Sequence, residues 1–319
     1  MIRRVAALDC GTNSLRLLVA DVDPEHATLT DVERRMEIVR LGQGVDTTGR
    51  LAPEALDRTM TALAGYAAVI ATVGADAVRM VATSATRDAG NSEEFVRRVT
   101  DVLGTGPEVL SGDEEARLSF TGATAELAGD RSVSPPYLVV DIGGGSTEFV
   151  LGASAGEVTS AISVDIGCVR MTERHLSSDP PSEREIAAAT ADIDAAIGKA
   201  SGRVAAGEAR TLVGLAGSVT TVAGIALGLP AYDTARLHHA RIPATQVHEV
   251  TATLLAMTRA ERAAIGVMHP GRVDVIGAGA LILDRIMTRL GFAEVLVSEH
   301  DILDGIAWSI ARSPSAASA

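Results

Sequence analysis

Cysteine, lysine and long apolar runs are what this sequence has least of. Its 319 residues include two cysteines, Cys10 and Cys168, far apart and without metal-ligand spacing; neither a disulfide framework nor a zinc site built on them is supported. Both read as reduced thiols in packed positions. Lys199 is the sole lysine, so any clamp on phosphate has to be made from arginine, metal and backbone N–H. Basic charge is also short overall. Lys and Arg number 28 against 41 Asp and Glu, a formal net charge of −13, which argues against a general nucleic-acid binder. A polyanionic ligand is still compatible if a local cationic cluster overrides that field. No apolar run approaches the roughly 20 residues that span a bilayer. Asp9 interrupts the short apolar start before a signal-peptide core can form, so the start reads as the first strand of a cytoplasmic protein.

What is present suggests duplication. The stretch from Leu138 to Leu151 is an apolar strand running into Asp141, the turn Gly143-Gly144-Gly145, the hydroxyls of Ser146 and Thr147, and a second apolar strand. Such a hairpin sets a carboxylate at a strand end and points bare N–H groups into the space above it, a cradle for phosphate and its metal ion. Asp9-Cys10-Gly11-Thr12-Asn13-Ser14 places Asp, Gly and Ser at the same relative positions, 132 residues earlier. Two copies of one loop imply a duplicated domain with a cleft between the halves. The length supports two domains, because single cores stop growing at about 250–300 residues. The expected division is 1–130 and 131–319, at the breaker-rich segment from Gly129 to Pro136, with the terminal helix over 301–311 able to pack back on the first domain.

The pattern predicts strands over 5–8, 15–21 and 29–39, then a helix opened by Pro53 with apolar residues at spacings of three and four and closed by Gly74. A strand over 77–82 leads into Thr83–Arg87, read as a loop at the edge where α/β sheets bind ligands. Asn91 with Glu94, Ser111 with Glu114 and Ser182 with Glu185 read as capping boxes. In the second of these, Glu114 is used on the cap and Glu115 points elsewhere. The second half repeats strand, glycine loop, strand and a third strand over 158–164, then a strand over 211–216 that feeds Gly217-Ser218 at a helix N-terminus. Helices over 244–257, 273–290 and 301–311 and a strand over 294–297 follow. The tail over 313–319 reads as frayed.

Asp141 beside the three glycines suits Mg²⁺ with phosphate oxygens in the other positions, and Glu148 can face the same metal across the hairpin. Glu115 is the candidate base, since phosphoanhydride hydrolysis needs a carboxylate within reach of an in-line water. Its local alternative is a solvated acid favoured by the helix dipole. Arg87 can clamp a phosphate bidentately or simply lie on the surface at a helix start. His238, His239 and His300 are scattered and read as structural or exposed rather than catalytic.

In order and spacing, Asp9-x-Gly-x-Asn13-Ser14, Ala82 to Arg87, Ser111-Gly112-x-Glu114-Glu115-Ala116-Arg117, Asp141-x-Gly143 to Glu148 and the Gly217-Ser218 turn resemble the exopolyphosphatase/guanosine pentaphosphatase (Ppx/GppA) family. That resemblance implies an α/β chain of two actin-like (ASKHA, ribonuclease H-like) domains with the active site in the interdomain cleft. It implies Glu115 as the water-activating glutamate. Asp141 and Glu148 are implied as acidic metal positions, with Asp9 in the first phosphate loop and also a candidate metal ligand. Asn13, Ser14, Arg87, Gly143, Gly144, Gly145, Ser146, Thr147, Gly217 and Ser218 are implied as phosphate-binding. The implied cofactor is Mg²⁺, with Mn²⁺ as a substitute, the substrate inorganic polyphosphate or guanosine pentaphosphate, and the assembly a homodimer, with no nucleic acid or membrane partner. A kinase or ATPase of the same fold and a non-catalytic polyphosphate or alarmone sensor are the competing classes. Longer members carry further helical domains after this core, and Cys10 and Thr12 depart from the usual first loop.

Overall fold

The computed structural model describes residues 2–127, 130, 132–154 and 156–312. Gly129 and Arg131 of the expected division segment lie outside the described residues, as do Met1 and the 313–319 tail.

The chain forms two compact units, Met1–Ala125 with Ile302–Ala319, and Glu126–Asp301. Unit 1 comprises β1 (Arg3–Cys10), β2 (Ser14–Asp23), β3 (Thr28–Ile38), α1 (Val45–Thr48), α2 (Pro53–Val73), β4 (Ala77–Ala82), α3 (Ser84–Asp88), α4 (Ser92–Leu103), β5 (Glu108–Val109) and α5 (Gly112–Thr124). Unit 2 opens with β6 (Tyr137–Ile142), β7 (Thr147–Gly152), β8 (Val158–Val164), α6 (Cys168–His175), α7 (Glu183–Ser201), β9 (Thr211–Leu215) and α8 (Ala216–Ala226). It continues through α9 (Thr234–Leu237), β10 (Arg241–Pro243), α10 (Ala244–Ala256), α11 (Arg259–Ala263), α12 (Ile276–Leu290) and β11 (Glu294–Val297). The last helix, α13 (Ile302–Arg312), belongs to unit 1.

The sheet of unit 1 runs β3-β2-β1-β4-β5, and that of unit 2, taken from its β8 end, runs β8-β7-β6-β9-β11-β10. In both, the first three strands are an antiparallel meander and the fourth pairs parallel with the first. The order is therefore duplicated, with β10 added at one edge. This is the α/β architecture of two mixed sheets, one in each half of the chain, that the family resemblance implies.

In β1 the side chains alternate between two apolar layers. Ala6, Leu8 and Cys10 pack with Leu56, Leu63 and Phe95 of α2 and α4, while Val5 and Ala7 pack with Ile302, Ile306 and Trp308 of α13. A strand covered on both faces loses the polar half of its pattern, which is why β1 reads as a continuous apolar run. The carboxylate of Asp304, 1% exposed, is met by the Arg34 guanidinium of β3 at 2.6 Å, so that buried charge is paired. The apolar face of α13 is thus spent on its own unit. No helix among the described residues is long and apolar enough to cross a membrane.

Two local readings are corrected. Thr83–Arg87 is not a loop: α3 occupies Ser84–Asp88. Asn91 precedes α4 but makes no side-chain cap; its amide group instead bonds the N–H and C=O of Leu51 at 2.8 and 3.1 Å, a tertiary contact that outcompetes the local one. The boxes at Ser111 and Ser182 form. The helix expected from 273 starts at Ile276, after a 3₁₀ turn.

Cys10 and Cys168 are free and buried. Desolvation raises the pKa of both thiols, and the nearby Asp9 charge raises that of Cys10 further. A disulfide reagent at pH 8 should therefore leave native protein unlabelled and modify both thiols once denaturant is added. Rapid labelling of either thiol in the native protein would contradict this packing.

Candidate functional site

The two hairpin loops share one construction. Gly11 N–H donates to Ser14 O at 3.0 Å, and Gly143 N–H donates to Ser146 O at 3.0 Å. The ladders continue in step. Asp9 lies directly opposite Arg16 in β1–β2, and Asp141 directly opposite Glu148 in β6–β7. Directly opposed residues project to the same face of a sheet, so each Asp meets its partner side by side. In unit 1 that partner is cationic: Arg16 Nη2 lies 2.7 Å from Asp9 Oδ2. In unit 2 it is a second acid. Asp141 is 8% and Glu148 1% exposed, and Ser163 Oγ donates to Glu148 Oε1 at 2.7 Å. Two buried carboxylates brought to one face are a set of oxygen donors of the kind that suits a divalent cation.

The glycine loop is gripped from behind. Gly143 O accepts from Cys168 N–H, and Gly144 O from the amides of Val169 and Arg170, at 2.9, 2.9 and 3.1 Å; Arg170 Nε donates to Gly145 O at 2.7 Å. A Cβ on Gly167 would stand 2.3 Å from Gly144 O, so only glycine lets the start of α6 lie this close. No hydrogen bond among the described residues uses the N–H groups of Gly144 and Gly145. The loop's carbonyls are thus committed on one side, which leaves the amide side to an anion. Thr147 donates its hydroxyl to Ile166 O at 2.6 Å and is fully buried; its side chain holds the loop.

The Gly217-Ser218 turn is at the same edge of the same sheet, because Asp141 and Leu215 are partners in parallel β6–β9. Ala216 turns the chain from β9 into α8 with φ 67°, a left-handed conformation that costs a non-glycine residue roughly 1–2 kcal/mol. Arg272 lies across this turn, its Nη1 donating to Gly217 O at 2.9 Å. A Cβ on Gly217 would sit 1.8 Å from the guanidinium carbon. Sequence reasoning missed Arg272, which is 55 residues from the turn it covers; a lone arginine in a loop carries no local signal.

In unit 1 the first loop and α3 lie at the ends of adjacent parallel strands, where Thr83 N–H donates to Cys10 O at 3.2 Å and Thr12 Oγ1 meets Ser84 Oγ at 2.9 Å. Asn13 O accepts the amides of Val39 and Arg40, and Ser14 O closes the turn. At the start of α5, Ser111 accepts Glu114 N–H, while Glu114 Oε2 takes the Ser111 amide at 3.0 Å; those bonds hold the Glu114 carboxyl below its ordinary pKa. Glu115 turns inward, 7% exposed, and Arg87 Nη1 donates to its Oε2 at 3.0 Å and to Leu110 O at 2.9 Å. The local alternative of a solvated acid does not describe Glu115, and Arg87 binds it rather than standing free on the surface.

Two mixed sheets of duplicated order, with glycine turns and charged side chains at their strand ends, define an α/β protein of two like-built halves. Residues 18–313 match the Ppx/GppA phosphatase family, and the chain belongs to it. It is 50% identical to "Exopolyphosphatase 2" of Mycobacterium tuberculosis over 97% of this chain and 99% of that protein. A crystal structure of an exopolyphosphatase-like protein superposes with TM-score 0.93 at 44% identity, covering 97% of this chain and 98% of that one. The PPX-GPPA enzyme of Aquifex aeolicus gives TM-score 0.80 at 30% identity over 97% of this chain and all of the other.

Gly217→Ala is expected to displace the Arg272 guanidinium while leaving stability within about 1 kcal/mol of wild type, since the obstacle is the flexible end of a side chain. Calorimetric pyrophosphate binding should weaken about tenfold, as expected when one charge-assisted contact is lost. Unchanged binding would remove Arg272 from the site.

Proposed function

We propose that this protein is an exopolyphosphatase, hydrolysing the terminal phosphoanhydride of inorganic polyphosphate and releasing orthophosphate. The observation that carries the reading is the buried pair Asp141 and Glu148, opposed across β6–β7 beside the Gly143–Ser146 turn. The similarity to Exopolyphosphatase 2, which extends over nearly the whole of both chains, supports the substrate class.

Asp141 and Glu148 would hold Mg²⁺, or Mn²⁺ in its place. Asp9 is the weaker candidate for a metal ligand, because Arg16 already balances its charge. Bound there, the cation would neutralise charge that develops on the phosphoryl oxygens. Ser163 keeps Glu148 oriented. The amides of Gly144 and Gly145, the hydroxyls of Ser146 and Ser218 and the N-terminus of α8 bind phosphate, while Asn13 and Ser14 shape the first loop. Glu115, held by Arg87, orients or deprotonates the attacking water.

The deciding assay measures orthophosphate release from short polyphosphate, long polyphosphate and guanosine pentaphosphate in parallel, with Mg²⁺ and after EDTA. Polyphosphate should be the faster substrate, and chelation should abolish release. Faster turnover of guanosine pentaphosphate would move the assignment to that substrate; phosphate transfer from ATP to an acceptor would favour a kinase, and binding without turnover a sensor. Glu115→Gln should lower kcat by roughly 10²–10⁴-fold, the usual contribution of a general base. A variant with near-normal turnover would sink that role. Ser163→Ala should raise the Mg²⁺ concentration needed for half-maximal rate by roughly 10-fold, in the range seen when a partner of a metal ligand is removed.

A further inference from the structure

The three histidines that look scattered in sequence are neighbours in unit 2, and a carboxylate joins them. Glu126 is the first residue of that unit, His238 and His239 follow α9, and His300 lies just after β11. The His238 and His239 rings stack with centroids 3.8 Å apart, and His300 is 4.7 Å from His238. Glu126 Oε2 lies 3.1 Å from His238 Nε2 and 3.4 Å from His300 Nδ1. One ligating atom from each of Glu126, His238 and His300 lies within 4.8 Å of the others.

We infer that Glu126, His238 and His300 form a binding site for a transition-metal dication of the zinc class, built from residues separate from the Asp141 and Glu148 pair. Two imidazoles and one carboxylate are a donor set that suits zinc and disfavours magnesium, which takes oxygen ligands. Three protein ligands leave a fourth position for water. Two further features mark the cluster as more than a hydrogen-bonded pair. His239 holds φ 61°, a left-handed conformation uncommon outside glycine, with its N–H fixed on Val297 O at 2.7 Å. Its buried Nε2 has no hydrogen-bond partner, a polar group stranded beside the ligand set.

Glu299 N–H donates to His238 Nδ1 at 3.2 Å, so the His238 proton is on Nε2, facing Glu126. Ligation through Nε2 moves that proton to Nδ1 and ends the bond from the Glu299 amide. The new N–H then needs an acceptor, a carboxylate or water, as is usual for a metal-bound imidazole. The Glu299 carboxylate itself accepts from Tyr232, whose hydroxyl meets Thr220 of α8.

The test uses the full chain, stripped with chelator and returned to millimolar Mg²⁺ so that the oxygen sites are filled. Stoichiometric zinc retention on dialysis is expected, and Co²⁺ in its place should give visible absorption bands of mixed nitrogen and oxygen ligation. His238→Ala and His300→Ala should each weaken zinc binding by at least about 10-fold, with metal-free melting curves reporting whether the variants fold. Where a variant fails to fold, X-ray absorption at the zinc edge of the wild-type protein decides: imidazole scattering supports the site, and an all-oxygen shell overturns it. Absence of zinc retention by the wild type, or equal retention by folded variants, also overturns it.

Discussion

A carboxylate at the end of a central strand, directly across its hairpin from another charged side chain, is the constraint on which the rest of the structure depends. The chain contains this arrangement twice in the same register. In one copy the opposing residue is Arg16 and the charge closes on itself at 2.7 Å; in the other it is Glu148 and the charge doubles. Duplication supplies the geometry and a single change of sign separates the copies. In the first copy acid and base sit side by side, while the second brings two buried acids to one face.

Close backbone approach makes that site specific. The start of α6 lies on the glycine loop because Gly167 has no Cβ, and its amides consume the loop's carbonyls. Arg272 lies over the α8 turn because Gly217 leaves room for it. Both contacts tie a loop to a neighbouring element through backbone or guanidinium hydrogen bonds. Preorganised donors of this kind stabilise developing charge without reorganisation.

Unit 1 shows the same economy of charge at Glu115. The capping box commits Glu114 to the helix end, which frees the adjacent acid to turn inward, and Arg87 from α3 meets it there. One local motif therefore decides which of two consecutive glutamates is solvated and which is held. The histidine cluster differs in origin. It is assembled from three turns that share no motif, and nothing in the order of its residues advertises it.

The sequence by itself determined the strands of both meanders, the duplicated Asp-x-Gly-x-x-Ser loops, the capping boxes at Ser111 and Ser182 and the candidate acids, because each is set by periodicity or by contacts a few residues apart. Even the opposition of Asp141 to Glu148 follows from the length of the turn. Tertiary structure alone decided that Asn91 caps Leu51 rather than its own helix, that α13 belongs to unit 1, that Arg272 covers Gly217, and that Glu126, His238, His239 and His300 meet. Those contacts join residues from 40 to 307 positions apart, where no local pattern records which partner the packed core will bring near.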